Sequence, residues 1–280
     1  MKNNSFFKFF FRKLYYGLFS TLEGSGLSKY ALIRNVHSFF SKNLKSENVV
    51  FYNFQFFLSQ NDEEGYSNGI SYLDDYLPLL QKLIQPGDIL VDVGAKIGFY
   101  SLAFCNMIGK TGHVYSFEPT PDSFNILKKN KSINQIDNLT IEQKAVSNIR
   151  GSRILEISKF SGLNRINDYA SVGIKVESIK LDDYFKDIQK ISLIKIDVEG
   201  HELEVLLGAT KILNLFKPKI LFEYNTKLFE KNNSRQILLF LQEMGYHFYD
   251  LEQNENLERD ISYFKTYENK QTLTNILAKI

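Results

Sequence analysis

Four carboxylates stand where short apolar runs end: Asp92 in DILVDVG, Glu118 in HVYSFEP, Asp197 in ISLIKIDVEG and Glu223 in PKILFEYN. A carboxylate so placed accepts hydrogen bonds and takes protons. The run at Asp197 is the richest. It continues Lys195-Ile-Asp197-Val-Glu199-Gly-His201-Glu202, and strand alternation puts Lys195, Asp197 and Glu199 on one face. Three charges of mixed sign at a strand end are costly to bury unless they pair or do chemistry. The bland alternative is a helix cap, since Glu199 and Glu202 suit the start of a following helix. His201 is the natural general base because its ring titrates near neutrality. Equally, it could do no more than open that helix. Asp197 or Glu199 could serve as base instead, or offer oxygen ligands to a divalent metal, and the sequence does not separate these roles.

The run at Asp92 leads into Gly94-Ala95-Lys96-Ile97-Gly98. Gly94 permits a tight turn and a close ligand, and Gly98 lets a helix start lie close to a sheet. The pattern lacks the G-x-G-x-x-G of dinucleotide binders. Aspartate before the turn repels a pyrophosphate and suits a cationic or hydroxyl-rich ligand. Glu118, at the tip of the next strand, can accept two hydrogen bonds from a ribose diol. Alone it is as readily a solvated strand-end charge. The convergence of four such tips is harder to dismiss than any one of them.

These positions require a particular scaffold. The sequence predicts strands over 48–58, 88–93, 113–119, 139–146, 191–200, 218–225 and 246–251. It predicts helices over 72–85, 98–109, 121–134, 235–245 and one long helix over 201–216, with a short one in LDDYFKDI. Residues 148–180 are less regular and read as a hairpin insert that shapes a pocket. Alternating strand and helix imply an α/β fold, a mostly parallel sheet with helices on both faces. Such sheets bind ligands at the carboxyl ends of their strands, where the four acids stand.

Composition bounds the rest. The chain has 280 residues, 44% hydrophobic, 24 of them Phe, enough for a sizeable core. A net charge of +2 argues against a dedicated nucleic-acid binder. The single cysteine, Cys105, forms no internal disulfide, and a reducing, cytoplasmic setting is expected. Residues 6–19, FFKFFFRKLYYGLF, carry too many charges for a membrane span. They read as a basic amphipathic helix, either lying on a membrane surface or docked on its own core or a homodimer partner.

VDVGAKIGFYS, FEPTPDSFNILKKN, SIKLDDYF, LIKIDVEGHELEVLLGA and PKILFEYN, in that order, resemble the FkbM family of S-adenosylmethionine-dependent methyltransferases. The resemblance covers residues 85–225 and, more loosely, the C-terminal NILAKI. It implies a class I methyltransferase fold over 71–280, Rossmann-like with an antiparallel terminal hairpin, behind an aromatic-rich extension at 1–70. It implies a cofactor turn of Asp92, Gly94, Ala95, Lys96 and Gly98, a ribose acceptor at Glu118, and adenine beside Ala145 and Val146. It puts Asp197 near the methyl group; Lys195, Glu199 and His201 are catalytic candidates from their own chemistry at the same strand end. It implies S-adenosylmethionine as cofactor and a hydroxyl of a sugar, glycan or other small molecule as acceptor; a divalent metal is possible on the residues but nothing in the sequence supports one. One residue departs from the family pattern: Lys96 stands where asparagine is usual. Lysine accepts no hydrogen bond, but it can donate to the cofactor carboxylate or pair with Asp92 or Asp197.

Three other readings remain open at this level. A ribose 2′-hydroxyl methyltransferase would use the same strand-tip acids, against the near-neutral charge. An NAD-dependent dehydrogenase suits Glu118 but not the glycine pattern. A methyltransferase fold that only binds a partner would account for Lys96. No D/N-P-P-Y motif points to base amino-methylation. Tyr184, Phe160, Tyr224 and Tyr249 are candidates to line a sugar cleft, though aromatics at such spacings are more often core. His37, His113 and His247 read as packing or surface residues.

Overall fold

The structure is a computed structural model that describes residues 48–58, 76–158, 164–170, 172–226, 233–253, 255–270 and 273–280. The helix expected at 6–19 and Phe160 lie outside the described residues. The chain divides between Ser71 and Tyr72 into two units. In the first, Asn48–Phe51 (β1) and Phe54–Phe57 (β2) form an antiparallel hairpin, not the single strand expected over 48–58. Tyr52 and Asn53 between them have φ of 52° and 67°. Two successive left-handed residues make the turn whose twist suits a two-residue hairpin.

The second unit opens with helix α1 (Leu77–Leu83). Then come β3 (Ile89–Val93), α2 (Phe99–Ile108), β4 (His113–Phe117), α3 (Pro121–Ile133) and β5 (Leu139–Glu142). A second sheet follows, built from β6 (Ala145–Val146), β7 (Gly151–Glu156), β8 (Arg165–Ile166) and β9 (Gly173–Ile179). The chain returns through α4 (Leu181–Tyr184), β10 (Leu193–Ile196), α5 (Glu202–Leu207), α6 (Thr210–Phe216) and β11 (Lys219–Asn225). It ends with α7 (Asn233–Glu243), β12 (His247–Asp250), β13 (Glu258–Arg259), α8 (Ile261–Lys270) and β14 (Leu273–Lys279).

The main sheet runs β13-β12-β14-β11-β10-β3-β4-β5. The pairings β5–β4, β4–β3, β3–β10 and β10–β11 are parallel, while β14 runs antiparallel to β11 and β12. This is the class I methyltransferase sheet, its last strand inserted against the grain. From β3 the chain builds outward through β4 and β5, then returns to β3's other side with β10. That reversal is the switch point at which open α/β sheets bind ligands. β10 is buried throughout, as a parallel strand covered on both faces should be.

Two expected elements differ here, and one helix was not expected. The strand over 139–146 stops at Glu142, and Ala145–Val146 pairs instead with Ser178–Ile179 of β9 in the second sheet. The helix over 201–216 breaks at Gly208-Ala209. Asp182 of α4 causes the break from outside. Its N–H donates to the Gly208 carbonyl at 3.0 Å, and its carboxylate accepts from Lys211 N and Ile212 N at 3.0 Å each. A side chain from another element thus caps α6. Helix α8, with its aromatic-rich sequence, was not anticipated. It is anchored by the buried Asp250, whose Oδ2 accepts from Tyr263 at 2.9 Å and whose Oδ1 accepts from Thr274 at 2.6 Å.

If Asp182 caps α6 in this way, Asp182→Ala should lower unfolding free energy by about 1–2 kcal/mol. Urea denaturation measures it, and an unchanged midpoint would leave the helix break to Gly208 alone.

Candidate active site

Strand register builds a polar row beneath the switch point. Asp92 of β3 lies between Ser116 of β4 and Lys195 of β10, and all three are buried. Ser101 of α2 donates to Asp92 Oδ2 at 2.6 Å, and Ser116 donates to Ser101 at 2.9 Å. Lys195 Nζ is 3.6 Å from Asp92 Oδ1 and 3.3 Å from Asp197 Oδ2, above the Tyr100 ring. Burial opposes the Lys195 charge, but Asp197 and Asp92 outweigh it and raise its pKa. Burial likewise opposes the Asp197 charge, and Lys195 and Lys96 hold that carboxyl below its ordinary value. For Asp92 burial wins, and its pKa is raised. Asp92 Oδ1 and Asp197 Oδ1 are buried with no hydrogen-bond partner.

The turn after β3 is stitched to the end of β4. Gly94 N and Ala95 N donate to the Phe117 carbonyl at 2.9 and 3.1 Å, and Lys96 N donates to Glu118 Oε2 at 2.9 Å. Gly94 has φ of 80°, and a Cβ there would stand 1.8 Å from the Asp197 carbonyl oxygen. The space that sequence reasoning reserved for a ligand is therefore filled by the neighbouring loop's backbone. A Cβ at Gly98 would meet Leu127 Cδ1 of α3 at 2.5 Å, so that glycine serves packing between helices more than packing on the sheet.

Lys96 itself is left-handed, with φ of 48°. Its ammonium pairs with Glu199 Oε1 at 3.4 Å, not with Asp92 or Asp197. Glu199 is also left-handed, with φ of 55°, and Gly200 follows at 99°. Two strained loops thus face each other and join through their side chains. Such backbone costs roughly 1–2 kcal/mol per non-glycine residue, and it concentrates at functional sites.

Glu202, 1% exposed, anchors the second loop. Its Oε1 accepts from Val198 N at 3.1 Å and Gly200 N at 3.3 Å, while Oε2 is buried without a partner. Burial pushes its pKa up to about 8, with the Glu223 charge adding to the rise. Burial, with Asp197 and Glu199 beside it, pushes Glu223 up to about 7. His201 Nε2 is 2.9 Å from Ser147 Oγ, and Nδ1 is 3.6 Å from Glu204 Oε2. Burial and the Arg153 charge hold its pKa down to about 4, so the ring is neutral at pH 7.

Between the loops lies a cleft of about 550 Å³. Of the residues singled out from sequence, Gly94, Lys96, Glu118, Ala145, Val146, Asp197, Glu199 and His201 line it, while Asp92, Ala95, Gly98 and Lys195 are not among its lining residues. Glu118 is 4% exposed and accepts from Lys96 N and, through Oε1, from Thr120 N at 2.8 Å. Burial raises its pKa against those hydrogen bonds. The Thr120 side chain bonds Glu118 as well. A carboxylate offers about four lone-pair sites, so capacity for a ligand hydroxyl remains. Sequence reasoning missed several other lining residues, among them Thr120, Lys144, Leu155, Arg165 and Ile166. Thr120 was legible as the neighbour of Glu118-Pro119; the others depend on how the second sheet folds back.

The aromatic candidates are corrected. Tyr224 is fully buried in the core, and Tyr184 packs edge-on against Phe117 with its hydroxyl donating to Glu142 at 3.0 Å. The Tyr249 ring sits under Lys279, and none of the three lines the cleft. Among the described residues, no group of three or more His, Cys, Asp or Glu is arranged to hold a metal ion.

These shifts give stability a pH dependence. Glu202 and Glu223 have folded pKa values raised above 4.5, so their contribution is full at low pH and is lost as pH rises through about 7–8. The depressed His201 acts oppositely, gaining stability between about 4 and 6.5. From about pH 7 to 8.5 the depressed His201 and His113 contribute little further change, and the raised carboxyls dominate. The urea midpoint should therefore fall across that window, and a flat or rising midpoint would contradict the assignment.

The sequence matches the model of the methyltransferase FkbM domain over residues 92–248, more than half of the chain. Hexuronic acid methyltransferase AglP of Haloferax volcanii is 32% identical over 144 residues, covering 50% of this chain and 57% of that protein. The 31-O-demethyl-FK506 methyltransferase FkbM of Streptomyces tacrolimicus is 28% identical over 159 residues, covering 45% and 60%. A crystal structure of methyltransferase FkbM from Methylobacillus flagellatus KT aligns with 16% identity and a TM-score of 0.46, over 73% of this chain and 47% of that one. The chain thus spans about three-fifths of the length of the curated relatives it matches. By its family match, it is a member of the methyltransferase FkbM domain family.

Proposed function

We propose that this chain is an S-adenosylmethionine-dependent O-methyltransferase acting on a hydroxyl of a sugar, glycan or related small molecule. The observation that carries the reading is the switch-point cleft, with Glu118 at the tip of β4 and Asp197, Glu199 and Lys96 grouped at the tips of β3 and β10. The donor set fits this cofactor. Glu118 has acceptor capacity left for a ribose hydroxyl. Asp197 keeps a buried oxygen without a donor, suited to a cationic group. Ala145 and Val146 give an apolar wall for adenine, and the Lys96–Glu199 pair offers both signs of charge to a zwitterion. Asp92 and Lys195 support the floor from behind, and Gly94, Ala95 and Gly98 shape the turn.

When bound, S-adenosylmethionine supplies an electrophilic methyl group. The chain must then align an acceptor oxygen and take its proton. Of the four catalytic candidates, Asp197 and Glu199 present carboxylates to the cleft and are the preferred proton acceptors. Lys195 keeps Asp197 ionised. The two nitrogens of His201 face Ser147 and Glu204, so its proposed part is to hold the loop. The name of the haloarchaeal relative, a hexuronic acid methyltransferase, supports a sugar acceptor. A homodimer, or membrane contact through residues 6–19, remains a proposal from sequence. No helix among the described residues is long and apolar enough to cross a membrane.

Methyl-labelled cofactor, offered with neutral sugars, uronic acids and RNA, tests the reading. Label should pass to a sugar in a base-stable ether, and Glu118→Gln should cut transfer about tenfold or more, since it turns a donor toward backbone N–H groups. Label in RNA alone, or in a base-labile ester, would move the acceptor elsewhere. No transfer to any acceptor would favour a binding module.

A further inference from the structure

Glu202 was read from sequence only as a residue suited to a helix start. In the fold it does something more specific. Its Oε1 holds the Val198 and Gly200 amides, and so fixes the loop through which Asp197, Val198, Glu199 and His201 line the cleft. Its Oε2 is buried with no donor. An ionised carboxyl there would leave a charged oxygen unsolvated and unpaired, which is far costlier than a neutral one. Its neighbours make ionisation worse. Glu223 on β11 acts on it directly, and Glu223 in turn feels Asp197 and Glu199. The nearby cations are committed: Lys195 to Asp92 and Asp197, and Lys96 to Glu199. Lys211 on α6 and Arg235 and Glu243 on α7, the helices packed on α5, are exposed.

We propose that Glu202 is a positioning residue for the cofactor cleft and that it works as the neutral acid, one oxygen holding the cleft wall while the carboxyl carries no charge. The proposal rests on the cofactor reading given above. Its pKa near 8 agrees with the geometry. Alkaline pH then places a second charge beside Glu223, loosens the wall and weakens binding.

Calorimetric titration with S-adenosylhomocysteine at pH 7 and pH 9 tests this on wild type, Glu202→Gln and Glu202→Ala, with thermal melts as folding controls. Glutamine keeps the Oε1 acceptor and cannot ionise. Glu202→Gln should match wild type within about threefold at pH 7, whereas Glu202→Ala should bind about tenfold or more weakly. From pH 7 to 9 wild type should lose up to about tenfold more affinity than Glu202→Gln. The ligand's own amine titrates equally in both proteins and cancels. If Glu202→Ala fails to fold, the comparison of wild type with Glu202→Gln still decides. The proposal is overturned if Glu202→Gln fails to fold, binds about tenfold or more weakly than wild type at pH 7, or follows the wild-type decline to pH 9. It is overturned equally if a folded Glu202→Ala binds like wild type. A folded wild type with no affinity at either pH would overturn the cofactor reading itself, and this proposal with it.

Discussion

The buried pair of Asp92 and Lys195 is the constraint on which the rest of the site depends. The two charges lie on adjacent central strands, and Ser101 and Ser116 complete the row. Removing either partner leaves a buried charge with less support, Lys195 with Asp197 only and Asp92 with Ser101 only, which is destabilising. The row therefore fixes the register of β3 against β10. That register brings Gly94 against the Asp197 carbonyl and sets the two loops facing each other. Lys195 also pairs with Asp197, so the sheet's interior ion pair reaches directly into the cleft.

Lys96 takes its meaning from this arrangement. Its backbone N–H ties the β3 turn to Glu118, and its ammonium ties the same turn to Glu199 across the cleft. A left-handed position favours asparagine or glycine over lysine. The ion pair offsets some of that cost, and it leaves both signs of charge beside the proposed amino-acid end of the cofactor. Lysine here thus replaces a local turn residue with a link between two strands' loops.

Much of this was legible in the chain. Continuous apolar runs such as DILVDV and ISLIKI identify buried parallel strands, and the residues that end them necessarily gather at one edge of the sheet. The same periodicity hid other features. LTIEQKAV keeps its alternation through the point where β5 ends and β6 joins another sheet. HELEVLLGATKILNLF reads as one helix because the residue that divides it, Asp182, is distant in sequence. Helix α8 is rich in aromatic residues that favour strands, and it is held by the buried Asp250 of β12. Glu202 looked like a surface cap because helix-start acids usually are. Its burial comes from tertiary packing, which no local pattern encodes.

In the reading proposed above, the cleft between the β3 turn and the β10 loop holds S-adenosylmethionine. A crystal structure of the protein grown with saturating S-adenosylhomocysteine tests it most directly. Ligand density is expected in this cleft, with ribose hydroxyls within hydrogen-bond distance of Glu118 and adenine against Val146. An empty cleft, or ligand bound at another edge of the sheet, would contradict it.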